Sequence, residues 1–320
     1  MLKRRRLVLA AAGALAAPSL GATTPWPDRP VVLVVPSIAG GSLDTLVRLL
    51  ADPLRAILGQ PVVVENRGGA GGAIGADYVA KSPPEANRFL ASAVHHAILP
   101  AIARLPYDSA QDLTGITDIS ASPNALIVPS AHPARSVAEL VAWARANPGA
   151  PYATGGQGTL HHLTGVLFAS AAGLELSPVH YRGSAPAIPD LIAGRVAFMF
   201  ETLPSAAQQI RAGAVRALAV TGPARAPNFP ELPTMTEAGF PQIRVETWYG
   251  LHAPRGVAPA VAERLRAAVA EALAAEPVRR GWEFNGVSGG GRPVAEFQAF
   301  WLAELAAWGE RARAAGLTAG

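Results

Sequence analysis

One device occurs three times in the sequence: an apolar run, a turn rich in glycine, serine or threonine, then a helical pattern. The turns are residues 36–42 after the run 31–35, residues 154–159 after 151–154, and residues 182–184 after 179–181. In an open α/β sheet such turns sit at the carboxyl ends of strands. There, helix N-termini offer unpaired N–H groups and the positive end of the helix dipole to an anion. Glycine lets the backbone come close, and hydroxyls add donors. One such turn is an ordinary tight connection; several converging on one cleft would hold a carboxylate without a buried arginine.

Other chemistries find less support. With no cysteine there is no thiolate metal site, disulfide or cysteine nucleophile. The glycine cluster at 68–75 lacks a full G-x-G-x-x-G pattern, and no Lys-Ser/Thr pair follows a glycine cluster, so a nucleotide loop is not indicated. The pairs His95-His96 and His161-His162 are adjacent, and adjacent side chains on a helix or strand point apart, so neither is expected to chelate a metal. No G-x-S-x-G elbow marks a serine nucleophile. Glu201 with His161 is the one acid/base pair that an enzyme using the same cleft would need. Trp248 and Tyr249 lie at the expected domain crossover, where one would flank the cleft and the other pack. Arg182 and Arg67 are the nearest cations, Arg67 being read as a solvated surface residue. No metal, cofactor or nucleic acid is expected.

The elements that must position these residues follow from the apolar spacing. Residues 31–35 read as a strand buried on both faces. Leu43, Leu46, Val47, Leu50, Leu54 and Ile57 give a helical stripe, with Ser42 as N-cap, Gly59 as stop, and Pro53 expected to kink or split it. Strands are expected at 61–65 and 89–93, with a helix at 73–81 between them. Residues 125–128 open a second unit. Its first helix starts at the capping box Ser136-Val137-Ala138-Glu139 and stops at Asn147-Pro148-Gly149. Strands at 151–154, 179–181, 196–200 and 215–220 follow, then a return strand at 245–253 and two amphipathic helices at 259–274 and 293–314. The pattern is α/β with largely parallel sheets.

Of 320 residues, 50% are hydrophobic and 16% charged, which excludes a disordered chain. The net charge of +4 is concentrated at the start: without Lys3, Arg4, Arg5 and Arg6, 23 basic residues remain against 23 acidic ones. The high isoelectric point therefore does not indicate a nucleic-acid binder. Residues 1–22 have the basic, apolar and small-residue zones of a signal peptide, and Arg4-Arg5-Arg6-Leu7-Val8 also fits a twin-arginine signal. The expected location is the periplasm, as a soluble, cleaved protein.

The residues resemble the Bug-type extracytoplasmic solute-binding receptors of tripartite tricarboxylate transporters. The resemblance runs from Trp26 to Gly316. It rests on Trp26-Pro27-Asp28-Arg29-Pro30, Val35-Pro36-Ser37-Ile38-Ala39-Gly40-Gly41, Leu58-Gly59-Gln60-Pro61-Val62-Val63-Val64-Glu65-Asn66-Arg67 and Leu105-Pro106-Tyr107-Asp108 in the first part. Later come His161-His162-Leu163, Tyr181-Arg182-Gly183-Ser184-Ala185-Pro186, Arg216-Ala217-Leu218-Ala219-Val220-Thr221 and Trp248-Tyr249-Gly250-Leu251. Their order and spacing make the match specific.

The resemblance implies a two-lobed clamshell, with two parallel or mixed sheets joined by two crossover strands. Residues 23–124 and 246–320 would form one lobe and 125–245 the other. It implies a monomeric receptor without catalytic residues, which holds a small organic acid between the lobes and delivers it to a two-subunit membrane permease. A secreted enzyme or a ligand-sensing co-receptor are the alternatives. First-lobe contacts would come from Ser37, Ala39, Gly40, Gly41 and Ser42, and from the turn with Ser92, His95 and His96. Second-lobe contacts would come from Gln157, Gly158, Thr159, His161, Tyr181, Arg182, Ser184, Glu201 and Thr202, with Trp248 added from the crossover. The pocket set departs from the family pattern: Ser37 replaces a frequent aromatic, Ala93 a polar residue, Ala197 an acid, and Glu201-Thr202 the usual Asp-Asn.

Overall fold

The valines after Pro30 form β1 (Val31–Val35), buried at four of its five positions. The leucine stripe after it forms α1 (Ser42–Leu58), which buries Leu43, Leu46, Val47, Leu50, Leu54 and Leu58 against the sheet. Each such side chain contributes about 2 kcal/mol by leaving water. The computed structural model describes residues 26–40, 42–181, 183–287 and 289–314. The export leader expected at 1–22 lies outside these residues, as do Gly41 and Arg182.

One expectation for α1 needs correction and another is narrowed. Ser42 is the first helical residue, one position inside the expected cap, and the helix is not split at Pro53. Leu50 and Leu54, on either side of the proline, anchor both halves to the same core. Gly59, at φ 69°, ends the helix as expected.

The chain continues through β2 (Val62–Asn66), α2 (Ala73–Ala80), β3 (Arg88–Ala93) and α3 (His95–Ile102) to the long β4 (Leu113–Pro129). There follow α4 (Val137–Ala146), β5 (Ala150–Thr154), α5 (Leu160–Ala172), β6 (Leu176–His180), α6 (Ala187–Ile192), β7 (Phe198–Thr202), α7 (Leu203–Arg211) and β8 (Val215–Val220). The return strand β9 (Glu246–Pro254) precedes α8 (Pro259–Ala274), α9 (Glu276–Asn285) and α10 (Val294–Ala314). The expected capping box is present in part: Ser136 Oγ accepts from the Glu139 amide at 3.2 Å. The Glu139 carboxylate, however, takes the amide of Arg135 at 2.7 Å.

The strand order is β2-β1-β3-β9-β4-β7-β5-β6, with β8 also paired to β4. Pairing is parallel among β1, β2 and β3 and among β5, β6 and β7, whereas β4 and β9 run antiparallel to their neighbours. This is a two-lobed, mixed α/β architecture. β4 joins the halves: residues 113–123 pair with β9 and residues 124–129 with β7 and β8. β9 comes in beside it, with the Val245 amide donating to Thr221 O at 3.0 Å. Polar side chains bind this crossing together. Thr247 Oγ1 donates to Asn124 Oδ1 at 3.1 Å, the Asn124 amide donates to Thr221 Oγ1 at 2.9 Å, and the Thr221 hydroxyl bonds Val245 O.

One core packs α1 and α8 on the first sheet, around Leu33, Leu50, Phe89 and Leu265. Two others flank the second sheet, around Tyr152, Phe168 and Phe198 on one side and Met199, Leu203 and Leu191 on the other. A fourth joins the halves, placing Leu160 and Leu163 of α5 with Ile98 of α3, Trp248 and Trp301. Among the described residues no helix is long and apolar enough to cross a membrane.

Candidate functional site

Folding brings the start of α1 to the start of α7: Ser42 Oγ lies 3.4 Å from Ser205 Oγ, 163 positions later. Next to Ser205, the Thr202 hydroxyl donates to Glu201 Oε1 at 2.9 Å and lies 2.9 Å from Ser205 Oγ. The Thr202 amide also donates to Glu201 Oε1, at 2.9 Å. His161, in the first turn of α5, brings Nε2 to 3.9 Å from the same oxygen. Tyr249 of β9 completes the cluster from the first sheet. Burial raises its phenol pKa, the charge on Glu201 adds to the rise, and Ser42 beside it partly offsets both. Ser42, Ser205, Thr202, Glu201, His161 and Tyr249 thus face one another from both halves. Glu201 is only 1% exposed, and its Oε2 has no hydrogen-bond partner.

The first glycine turn is braced from below. Asp44, buried in the first turn of α1, accepts from the Gly40 amide at 2.8 Å, from Arg48 Nε at 2.9 Å and from Asn66 Nδ2 at 2.9 Å. Burial works to raise the Asp44 pKa, but the bonds from Arg48, Gly40 and Asn66 outweigh it and the net shift is downward. Asn66 Nδ2 also lies 3.3 Å from Ser37 O, which ties the turn to β2. The Gly40 amide is therefore not available to a ligand. Ala39, next to it, is exposed, and among the described residues it has no bonded partner.

The second turn is capped from within. Thr159 is the N-cap of α5, its hydroxyl donating to Gly156 O at 2.7 Å and accepting from the His162 amide at 3.4 Å. The amides of Gly156, Gly158 and Gly183 are used by Thr154 Oγ1, His162 Nδ1 and Gly155 O. Gln157 is exposed and, among the described residues, without a partner. Gly158, at φ +72°, lies under Ile102 of α3; a Cβ there would come within 2.3 Å of Ile102 Cδ1. The halves are thus in contact across the cleft. Gly155 packs against His161, and a Cβ on it would also stand 3.5 Å from the Ser184 amide.

Several expected contacts lie elsewhere. Ser92 is fully buried, bonded to His252 Nδ1 at 2.9 Å and to Gly250 O at 3.3 Å. His95 and His96 do not point apart: in the first turn of α3 their ring centroids lie 3.9 Å apart at a tilt of 42°, and both Nε2 atoms lean over Gly72. Gly72 must lack a side chain, since a Cβ would stand 2.9 and 3.1 Å from those nitrogens. His161 and His162 do diverge, to Glu201 and to the His180 ring at 4.8 Å. Tyr181 gives its hydroxyl to Asp190 Oδ2 at 2.7 Å. Trp248 packs among Phe297, Phe300 and Trp301 and donates to Glu304 Oε2 at 2.7 Å, so Tyr249 is the crossover aromatic at the cleft. Arg67 pairs with Glu65 at 2.6 Å and lies 3.6 Å over the Tyr78 ring.

Ser205, Ile102 and Asp44 are not among the expected site residues, and of the crossover pair it is Tyr249 and not Trp248 that joins the cluster. Alternation along β9 puts Trp248 and Tyr249 on opposite faces, but which of them meets the cleft depends on how the halves pair. A hollow of about 670 Å³ between the loop 222–228 and α9 contains none of the cluster residues, so its size does not make it the better candidate. Among the described residues no group of three or more histidines and acids is placed to hold a metal ion.

Residues 46–293 match the family described as tripartite tricarboxylate transporter family receptor. Protein BugT of Bordetella pertussis is 36% identical over 289 residues, which cover 88% of this chain and 87% of that protein. The structure of R. palustris Rpa4515 with adipate has a TM-score of 0.84 and 36% identity, covering 92% of this chain and 100% of the other. MatC (Rpa3494) from Rhodopseudomonas palustris with bound malate has a TM-score of 0.79 and 28% identity, covering 89% and 99%. The chain belongs to the TctC family of tripartite tricarboxylate transporter receptors.

Proposed function

We propose that this chain is a periplasmic receptor that captures a small organic acid between its lobes and presents it to the permease subunits of a tripartite transporter. The observation that carries the reading is the meeting of Ser42 with Ser205 across the two halves, beside the buried Glu201 and Thr202. Ala39 on one side and Gln157 on the other supply amides for a carboxylate, with Ser37, Ser42 and Ser184 as nearby hydroxyls. In sequence, Gly41 lies in the turn 36–42 and Arg182 in the turn 182–184. The lobes are assigned as 23–124 with 246–320, and 125–245, with the hinge at Asn124, Thr221 and Val245. Adipate and malate in the related receptors support a carboxylate ligand.

Calorimetry with di- and tricarboxylates, aromatic acids and amino acids tests the reading. Binding of at least one acid is expected. Binding of a neutral sugar or a metal ion, with no acid bound, would overturn it. The receptor is non-catalytic: a bound ligand recovered chemically unchanged is expected, and turnover would favour an enzyme built on Glu201 and His161. Native mass spectrometry of protein purified without added ligand would identify whatever travels with it.

A further inference from the structure

Glu201 places an acid in a site for acids, at the position where the family pattern has Asp. It is 1% exposed, at the end of β7. Its Oε1 is well supplied by the Thr202 amide and hydroxyl, both at 2.9 Å. Its Oε2 is buried with no partner, and among the described residues no lysine or arginine forms an ion pair with it. His161 Nε2, at 3.9 Å, approaches Oε1 and not Oε2. A buried carboxylate oxygen without a donor carries a desolvation cost that a ligand can relieve. A second carboxylate at that oxygen would do the opposite, adding like charge in a site shielded from water.

We propose that Glu201 sets ligand class: the cleft takes a monocarboxylate whose far end carries a hydrogen-bond donor (hydroxyl, ammonium or amide N–H) directed at Glu201 Oε2, and disfavours a second ionised carboxylate there. This rests on the reading of the cleft as a carboxylate receptor. The carboxylate of the ligand would meet the Ala39 and Gln157 amides, and the donor end would meet Glu201. Thr202 and Ser205 hold the glutamate in place. A hydroxyl, an ammonium and an amide all satisfy one acceptor, and matched ligands separate them.

The test is calorimetry at pH 7 on the full mature chain with two sets of acids matched in length. One set is adipate, 6-hydroxyhexanoate, 6-aminohexanoate, adipamate and hexanoate; the other is the corresponding four-carbon series. In the better-binding set, at least one donor-ended acid is expected to bind about tenfold or more tightly than both the diacid and the methyl-ended acid, the effect of one hydrogen bond to a charged group. The diacid binding as tightly as every donor-ended acid, or hexanoate or butyrate matching them, overturns the inference and leaves the carboxylate reading standing. No binding by any acid in either set overturns both.

Glu201→Gln supplies the second measurement. The amide removes the charge at constant shape, so the diacid is expected to gain about tenfold relative to the donor-ended acids. An unchanged ratio, in a variant with wild-type thermal unfolding, would assign selectivity to other residues. If the variant unfolds early, the wild-type series alone decides.

Discussion

Replacing Asp44 by alanine is the most direct way to test whether the first glycine turn is held from beneath. Three donors meet this carboxylate: the Gly40 amide at 2.8 Å, Arg48 Nε at 2.9 Å and Asn66 Nδ2 at 2.9 Å. Hydrogen bonds to a charged acceptor contribute about 1.5–3 kcal/mol each when well shielded. Here the donors are partly buried and can reach water once released, and the Arg48 side chain is 50% exposed, so its share is discounted. The sum is then about 2–3 kcal/mol of stability, with Asp44→Asn losing roughly half, since it keeps one accepting oxygen.

Urea unfolding at pH 7 reads this directly, and calorimetry should find ligand affinity reduced as Ala39 and Gly40 lose their fixed position. The pH dependence has a defined sign. The folded pKa lies below the ordinary value of 3.8, so the contribution is complete above pH 3.8 and is lost as pH falls through the lower folded value. The gap between wild type and variant should therefore close only in strong acid. A loss below about 0.5 kcal/mol, with unchanged affinity, would refute the bracing role.

Gly165→Ala should destabilise the protein by about 1–3 kcal/mol in urea melts through overpacking. The added methyl would lie within 2.1 Å of the Tyr152 ring, which is itself stacked on Phe198 at 5.4 Å. Leu50→Ala, in the fully buried face of α1, should cost about 2–5 kcal/mol by the same measurement. Glu304→Ala removes the acceptor shared by Trp248 and Trp308, at 2.7 and 3.1 Å, and should shift tryptophan fluorescence with a loss of about 1–3 kcal/mol. Burial lowers the pKa of His252 to about 3 and that of His95 to about 4. The unfolded chain therefore takes up protons that the folded one refuses below pH 6.5, and urea midpoints should fall steadily from pH 6.5 toward pH 4. Each ring contributes up to about 1.4 kcal/mol per pH unit, and His252→Gln should flatten the slope.

The βα units were legible because their signals are local. Val31 to Val35 read as a buried strand, and the leucine spacing of α1 as a helix, from single-chain periodicity. The long β4 is legible in the sequence only over 125–128, because its first half is polar. Thr117, Asp118, Ser120, Ser122 and Asn124 are all buried, and several are matched by partners far away in sequence, such as Arg292. The short helix α9 was missed between two stronger ones; Phe284, 70% exposed, weakens its apolar stripe. In the site, Thr159 and Glu201 could be placed from their turns, whereas Ser205 and Tyr249 depend on which halves meet. The position of Ser92 beneath the surface depends on the pairing of β3 with β9.

Because β4 belongs to both sheets, the joint between the lobes is a beam and not a tether. Domains on a slack linker can swing freely; these can only flex along a hydrogen-bonded ladder. The give must come at its irregular steps, where register slips between Gly115 and Thr117, between Asp118 and Ser120, and between Leu126 and Ile127. Such a joint would restrict how far one lobe could turn against the other. Lengthening it by one residue near Asn124 would turn every downstream side chain of β4 to the opposite face, so this short stretch should tolerate insertions less than any surface loop.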